Sequence, residues 1–382
     1  MPQPVQIAVL IDTEDNWGRR VVAGISEAAR NLAWELLIAP RDDQWRLRVP
    51  FGWDGHGVIA AMRDRQTATH IRRLDLPTVN VSSWGFSQTW CVRIVTDDRQ
   101  RAVLALNHFR ERGYEHFAYF GPPSQRYSNS RRDHFQRAVN EAGLRCSIFS
   151  SPLARQGWSS MRNQVAQWLQ SLPRPLAVFT ADPHPALQLS QICRAEGIRV
   201  PNDVAILAGD TDELLCELAV PPISSVVLAG EHIGALSVQA LSGLLQGRRQ
   251  DPVTFVPPIR IAERQSTDLL AIDDSFFAEA VQYVRRHAHT GIHVRDILRV
   301  VPVSRRQLEL KFQQYLQRSP AEEIRRVKIE RAQQLLTSTS MNVRQISQAV
   351  GFASVSRFCV MFRQMIGQTP LEFRALHRTW RM

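Results

Sequence analysis

The sequence predicts a two-lobed α/β domain with two doubly wound parallel sheets, followed by an all-α domain with two helix-turn-helix units. Three observations lead there. Short apolar runs alternate with amphipathic stretches from residue 5 to residue 270. The last hundred residues repeat one pattern at an offset of fifty. The charge divides at the same place. Between Ser275 and Met382 lie 18 basic and 7 acidic residues. The remaining 29 basic and 29 acidic residues cancel, so the whole net charge of +11 sits in the last 108 of 382 residues. A basic segment attached to a neutral one points to a polyanionic partner for the tail.

In the neutral part the apolar runs are "VQIAVLI", "GVIAAM", "PTVNVS", "VRIVTD", "HFAYFG", "LAVFTA" and "VAILAG". Each has the length and composition of a buried strand. Between them stand helix patterns such as "RRVVAGISEAARNL", "QRAVLALNHFRERG", "RRDHFQRAVNEAG" and "PALQLSQICRAEG". Strands alternating with helices wind a parallel sheet on both faces, and this many runs predict two sheets. Ligands in such folds sit beyond the carboxyl ends of the strands. Asp12 and Thr13 follow the first run, Asp97 the fourth, Asp182 the sixth, and Asp210 and Thr211 the seventh. Carboxylates at several strand ends can accept hydrogen bonds from a polyhydroxylated ligand. Arg131 or Arg132 adds a donor, and Trp17, Trp84 and Trp90 offer rings for a sugar's C–H face. Taken singly, each is equally readable as a helix cap or a packing residue.

In the basic part, Leu308, Phe312 and Leu316 recur at helical spacing, and Phe358, Phe362 and Ile366 repeat them. Ser304 and Ser354 precede these stripes as N-caps. Before each serine stands a short helix pattern, "VRDILRVV" or "VRQISQAV", and a tight connection. Between the copies, Ile324, Val327, Ala332 and Leu335 mark a long amphipathic connector. The plain alternative is a helical bundle with a solvated basic face. Duplication, connector and concentrated charge favour two helices in the major groove of double-stranded DNA. Arg305, Arg306 and Glu309 face away from the first apolar stripe; Ser356, Arg357, Val360 and Arg363 face away from the second. Arginine reads guanine edges and glutamate accepts from cytosine.

Other classes find little support. No apolar run reaches about 18 residues and no signal-peptide pattern is present, so the expected compartment is the cytoplasm, with no membrane association. The five cysteines (Cys91, Cys146, Cys193, Cys216 and Cys359) are scattered and never CxxC. They predict neither a disulfide framework nor a zinc site. No P-loop, HExxH, GxSxG or strand-borne GxGxxG occurs, so neither enzyme chemistry nor a cofactor is expected. "HAHTGIH", His287–His293, straddles a helix end with a glycine inside it and is a poor metal motif.

The stretch "ISQAVGFASVSRFCVMFRQMIGQTPLEFR" closely resembles the AraC/XylS-type DNA-binding domain, and the likeness covers residues 275–376. That resemblance implies two adjacent major-groove contacts. It places Arg306, Glu309 and Leu310 at base-facing positions of the first unit, and Val355, Ser356, Arg357 and Val360 at those of the second. Pro302 stands where the family's first turn usually has glycine, and Leu310 where a basic residue is common. Upstream, "RIVTDDRQRAVLALNHFRERGYEHFAYFG", "VFTADPHPALQLSQICRAEGIRVPNDVAILAGDTDE" and "VPPIRIAERQSTD" resemble the LacI/GalR-type, periplasmic-binding-protein-like sugar-sensing core. The family's Arg-x-x-Gly-aromatic pattern is met from Arg131 to Phe135, with His134 in place of glycine. This implies Arg131 as a sugar-hydroxyl donor, Asp210 as the ligand-binding acid and Asp182 as a weaker match. A sugar sensor followed by an AraC-type domain resembles the order found in bacterial pentose-operon activators. The likeness implies a small sugar effector, with D-xylose favoured over other pentoses or hexoses. It also implies a homodimer, promoter DNA as partner, and RNA polymerase as a further partner if the protein activates rather than represses. The expected layout is 1–270 for sugar binding and dimerisation, 271–280 as linker, and 281–382 for DNA binding.

Overall fold

The computed structural model describes residues 4–83, 89–122, 125–149, 157–268, 274–316 and 318–377. They divide into two compact units: Met1–His108 with Glu115–Leu269, and Phe109–Tyr114 with Leu270–Met382.

The strands of the first unit, in chain order, are β1 (Gln6–Leu10), β2 (Glu35–Ile38), β3 (Gly57–Ala60), β4 (Thr78–Asn80), β5 (Val92–Thr96) and β6 (His116–Phe120). Then come β7 (Cys146–Ile148), β8 (Leu176–Thr180), β9 (Val204–Ala208), β10 (Ser224–Val227), β11 (Val253–Val256) and β12 (Arg260–Ala262). They form two six-stranded sheets, β11-β5-β4-β3-β1-β2 and β12-β10-β9-β8-β6-β7. All pairings are parallel except β10 with β12. Each of the seven apolar runs contributes a strand. The other five are short, and several are half exposed, so their composition carries little strand signal.

Helices α1 (Asn16–Arg30), α2 (Arg65–Arg72), α3 (Asp98–Arg110), α4 (Arg126–Glu141), α5 (Trp158–Gln170), α6 (Pro183–Ala195), α7 (Glu213–Leu218) and α8 (Gly230–Leu245) connect the strands. The chain crosses from the first sheet to the second through α3, returns through α8, and crosses again between β11 and β12. Separate cores fill the lobes. Ile7, Val9, Ile59, Val79 and Ile94 pack with Val21, Ile25 and Ile233 in the first, and Val178, Ile206, Val165 and Leu189 in the second. α1 and α8 approach so closely that a Cβ on Gly24 meets the Glu231 carbonyl oxygen at 2.0 Å, and one on Gly234 meets that of Val21 at 2.2 Å. Glycine is required at both positions.

The second unit holds α9 (Ser275–His287), α10 (Val294–Ile297), α11 (Arg305–Leu316), α12 (Pro320–Ser338), α13 (Val343–Ala349), α14 (Val355–Ile366) and α15 (Pro370–His377). The stretch expected as linker is helical from Ser275, because Phe277 and Ala280 are buried with Leu308 and Phe312. Asp274 caps that helix by accepting from the Phe277 N–H at 3.0 Å. α12 is the anticipated connector, opened by a reciprocal capping box of Ser319 and Glu322. Its buried stripe is broader than expected: Ile329 and Leu336 are fully enclosed and Leu335 is not, since α9, α13 and α15 pack around it.

Within this unit Glu323 is 1% exposed and takes hydrogen bonds from Arg326 at 2.8 Å and Arg318 at 3.2 Å. Glu111 pairs with the same two arginines at 3.4 and 3.1 Å. Burial alone raises a carboxyl pKa. Here Arg326, with Arg285 and Arg318, outweighs it and holds Glu323 down at about 2. Its contribution to stability is therefore complete above the ordinary value of 4.5 and lost as pH falls from there through about 2. Glu323→Ala removes the buried acceptor from two half-buried guanidinium groups, leaving them Glu111 and, for Arg326, Glu330, and costs about 1.5–3 kcal/mol. Urea unfolding of the full chain at pH 7 measures this, and the gap between wild type and variant should shrink at pH 3.

Candidate effector cleft and DNA-reading helices

The carboxyl ends of the central strands in both sheets converge on one cleft of about 790 Å³ in the first unit. Asp15, Asn16 and Trp17 reach it after β1, Arg63 after β3, and Ser82 and Ser83 after β4. Asp98 and Arg101 arrive from the first turns of α3, Tyr127 and Arg131 from α4, Asp182 from the end of β8, and Asp210 and Thr211 from the end of β9.

Of the sequence candidates, Trp17, Arg131, Asp182 and Asp210 line this cleft. Asp12, Thr13 and Asp97 do not. The Asp12 carboxylate is engaged by the Glu14 N–H and by Arg41, both at 3.0 Å. Thr13 is exposed, and its carbonyl accepts from Arg19. Asp97 caps α3, accepting from the Gln100 N–H at 2.9 Å and its side-chain amide at 3.1 Å. Asp98, one residue on, enters the cleft instead. Arg132 turns aside to Asp133 and Asn129. Trp90 packs on the core of the first lobe, and Trp84 lies outside the described residues. Sequence reasoning missed Asp98, Arg101, Tyr127 and Asn16. The spacing Asp97-x-x-Gln100 is a capping-box pattern, and it could have assigned Asp97 to the helix end and freed Asp98 for the cleft.

The site is a set of alternating donors and acceptors. Burial opposes the Arg131 charge, but Asp98, Asp210 and Asp182 outweigh it and raise its pKa. One Arg131 nitrogen donates to the Ala181 carbonyl, and its guanidinium lies 4.9 Å from the Tyr127 ring centroid. Tyr127 donates to Asp182 Oδ2 at 2.6 Å, and Ser130 donates to Asp98 Oδ2 at 2.9 Å. Asp210 accepts from the Thr211 N–H at 2.7 Å. Burial pushes the Asp210 carboxyl above its ordinary range, even with Arg131 and Arg101 pulling the other way. Across the cleft mouth Asn16 donates to the Thr211 carbonyl at 2.8 Å, joining the lobes. Arg63 pairs with Asp15 at 2.6 Å and stands 6.0 Å from the Trp17 ring centroid. Each hydroxyl of a polyol both donates and accepts, and carboxylates interleaved with guanidinium groups match that need.

In the second unit the two halves of the repeat build alike. Ser304 accepts from the Gln307 N–H at 3.2 Å while Gln307 reaches back to the Ser304 N–H at 3.0 Å. Ser354 accepts from the Arg357 N–H at 3.2 Å. Buried Leu308 and Phe312 anchor α11, and buried Phe358 and Phe362 anchor α14. Their opposite faces are open: Arg305, Arg306, Glu309 and Leu310 on α11, and Ser356, Arg357, Val360 and Arg363 on α14 are exposed, with Val355 half-buried. Arg305 and Glu309 form an i,i+4 ion pair at 3.1 Å. The turn before α14 requires glycine: Gly351 has φ +75°, and a Cβ there meets the His289 carbonyl oxygen at 2.5 Å. Lys328 of α12 holds the same turn, donating to the Gly351 carbonyl at 2.8 Å and lying 5.3 Å from the Phe352 ring centroid. Among the described residues no group of three or more metal-ligating side chains is assembled. No helix among them is long and apolar enough to cross a membrane.

Two family models match, a periplasmic binding protein-like domain over residues 106–267 and a helix-turn-helix domain over residues 297–376. The chain is 30% identical to the xylose operon regulatory protein of Escherichia coli K12, over 97% of this chain and 96% of that one. It is 27% identical to the protein of the same description from Haemophilus influenzae, over 97% and 98%. A solved structure of a xylose-binding transcription activator, xylR, superposes with a TM-score of 0.64 at 28% identity, covering 99% of this chain and all of that one. The α/β sensor and the helical DNA-binding region anticipated from sequence are both present, and these relatives are transcription regulators.

Arg357→Ala should cost about 1–3 kcal/mol at a cognate DNA site and relax preference at one base pair. Titration against single-base operator variants checks this; an equal loss on all of them makes Arg357 a phosphate contact. Asp210→Ala should lower effector affinity by roughly 10-fold or more, as expected for loss of a charged hydrogen bond. Calorimetry and salt-dependent binding to random DNA test that together, the second expected unchanged.

Proposed function

The chain belongs to the family of the xylose operon regulatory proteins, and we propose that D-xylose is its effector and that the liganded protein activates genes of sugar catabolism. One observation carries the reading: half-buried Arg131 shares a cleft with Asp98, Asp182 and Asp210, in the same chain as two serine-capped helices with open basic faces. Arg131, Asp98, Asp182 and Asp210 hold the sugar hydroxyls, and Trp17 covers a C–H face. Arg306, Glu309, Leu310, Val355, Ser356, Arg357 and Val360 face bases, with Arg305 setting register on phosphate. Residues 1–270 sense, and residues from 281 onward bind promoter DNA.

Effector binding draws the two lobes together around the sugar. In a homodimer this changes the geometry between protomers and makes two half-sites reachable at once, so affinity rises by avidity. Each protomer covers two major-groove segments about one helical turn apart. The liganded dimer then recruits RNA polymerase, and the whole cycle takes place in the cytoplasm.

Calorimetric titration of the full-length protein with xylose, arabinose, ribose, glucose, galactose and mannose tests the effector. Saturable binding of xylose is expected; preference for another of the six replaces xylose and keeps the architecture. A promoter reporter distinguishes the sign of control: expression should rise with effector, and a fall assigns repression.

A further inference from the structure

The sequence patterns that point to the cleft give no role to Arg101, yet its side chain is only 2% exposed and lines the cleft. It stands one turn along α3 from Asp98, so both side chains leave the helix on the same face. The Arg101 Nη1 lies 3.3 Å from Asp98 Oδ1, an ion pair without hydrogen-bond alignment. Neither Nε nor Nη1 of Arg101 has a hydrogen-bond partner among the described residues, and the same holds for Nε of Arg131. A second cation thus stands close to Arg131, where each opposes the other. Burial first, and then Arg131, lower the Arg101 pKa to about 10. A buried donor left unmatched costs about 1–3 kcal/mol, more when charged, and such donors are rare without a purpose. Salt-bridging Asp98 alone needs neither the second guanidinium beside Arg131 nor two enclosed N–H groups left without a partner in a residue that lines the cleft.

We propose that Arg101 is a specificity-determining residue that donates to one hydroxyl oxygen of the bound sugar, next to the hydroxyl held by Arg131. This deepens the sugar-sensing reading and rests on it. With Asp98 and Asp210 as acceptors, the two arginines form a paired donor–acceptor frame for two neighbouring hydroxyls. The ligand class is a neutral sugar with a vicinal diol. Asp98, Asp182 and Asp210 gather around half-buried Arg131 and outnumber it and Arg101 together, so a further carboxylate beside them meets more negative than positive charge. A sugar lacking the hydroxyl that faces Arg101 leaves a buried cation unmatched and is rejected.

The test uses the full-length protein and calorimetry with D-xylose, its 2-, 3- and 4-deoxy analogues, and D-xylonate. Arg101→Met, which keeps the stem volume, should weaken xylose binding roughly 10–100-fold. For one deoxy analogue, wild type and variant should bind alike, because the partner hydroxyl is already gone. Arg101→Lys retains the charge without the fork and should recover only a small part of the loss. Xylonate should bind wild type more weakly than xylose. Equal weakening across all analogues assigns Arg101 a structural role and overturns the proposal, as does unchanged xylose affinity in Arg101→Met or full recovery in Arg101→Lys. Tighter binding of xylonate overturns the neutral-ligand assignment. If Arg101→Met does not fold, the Arg101→Lys series against the deoxy analogues decides alone. Should wild type bind none of these sugars, nor any of the earlier six, the sensing reading falls and this inference with it; binding by wild type with a failed analogue pattern removes this inference alone.

Discussion

A guanidinium drawn largely out of water cannot stand alone, and Arg131 dictates what gathers around it. Removing its charge from water is costly unless opposite charge and hydrogen-bond acceptors come with it. Asp98, Asp182 and Asp210 supply the charge, from three different elements on two connected strand systems. The Ala181 carbonyl and the Tyr127 ring complete the surroundings. The requirement reaches the architecture itself. Only the carboxyl ends of parallel strands bring such distant residues together, and only a helix starting there places Asp98 and Arg101 one turn apart. The cleft's acid–base alternation is the visible result of solvating two cations with protein instead of water.

The DNA-binding unit solves a different problem, that of holding a short helix rigid while one face stays open. Buried aromatic side chains fix the inner face of α14, with Phe358 and Phe362 rings 5.7 Å apart and Phe362 and Phe373 rings 5.5 Å apart. The Ser354 cap fixes its start, and Gly367, with φ +81°, ends it. Lys328 reaches across from the connector to the preceding turn. The helix therefore offers Ser356, Arg357 and Val360 from a fixed frame. α11 lacks a glycine in its turn and carries the exposed Leu310, a difference between the halves that the repeat itself does not remove.

Much of this was legible from the amino acids. Fully buried parallel strands are apolar throughout, so seven of the twelve strands among the described residues announced themselves; the short or half-exposed ones, such as β7 and β12, did not. The repeat exposed both helix-turn-helix units because an apolar stripe at helical spacing survives divergence. In the cleft, four of the residues named from sequence line it, Trp17, Arg131, Asp182 and Asp210, and Asp182 does so while also capping α6 through the His184 N–H. Asp12 and Asp97 were misplaced because an aspartate after a strand serves equally as a cap or an ion-pair partner, and nearby Glu14, Arg41 and Gln100 claimed them. Arg101 was invisible, since an arginine inside an amphipathic helix looks solvated until the tertiary structure buries it. In α12 the helical period was right, but surrounding helices widened the buried stripe to include Leu336.

The three crossings between the lobes set the mechanics of the sensor. A single tether lets two bodies swivel and twist independently, whereas three side-by-side tethers resist sliding and torsion and leave bending about their common line as the soft direction. Bending about the crossings is thus the motion that would part the lobes, and the Asn16–Thr211 bond across the cleft mouth would have to break for it. Motion confined to one angle has a practical merit for a molecule that reports concentration: a sugar of a few ångströms changes one coordinate reproducibly, and little of its binding energy is dispersed among motions that carry no message.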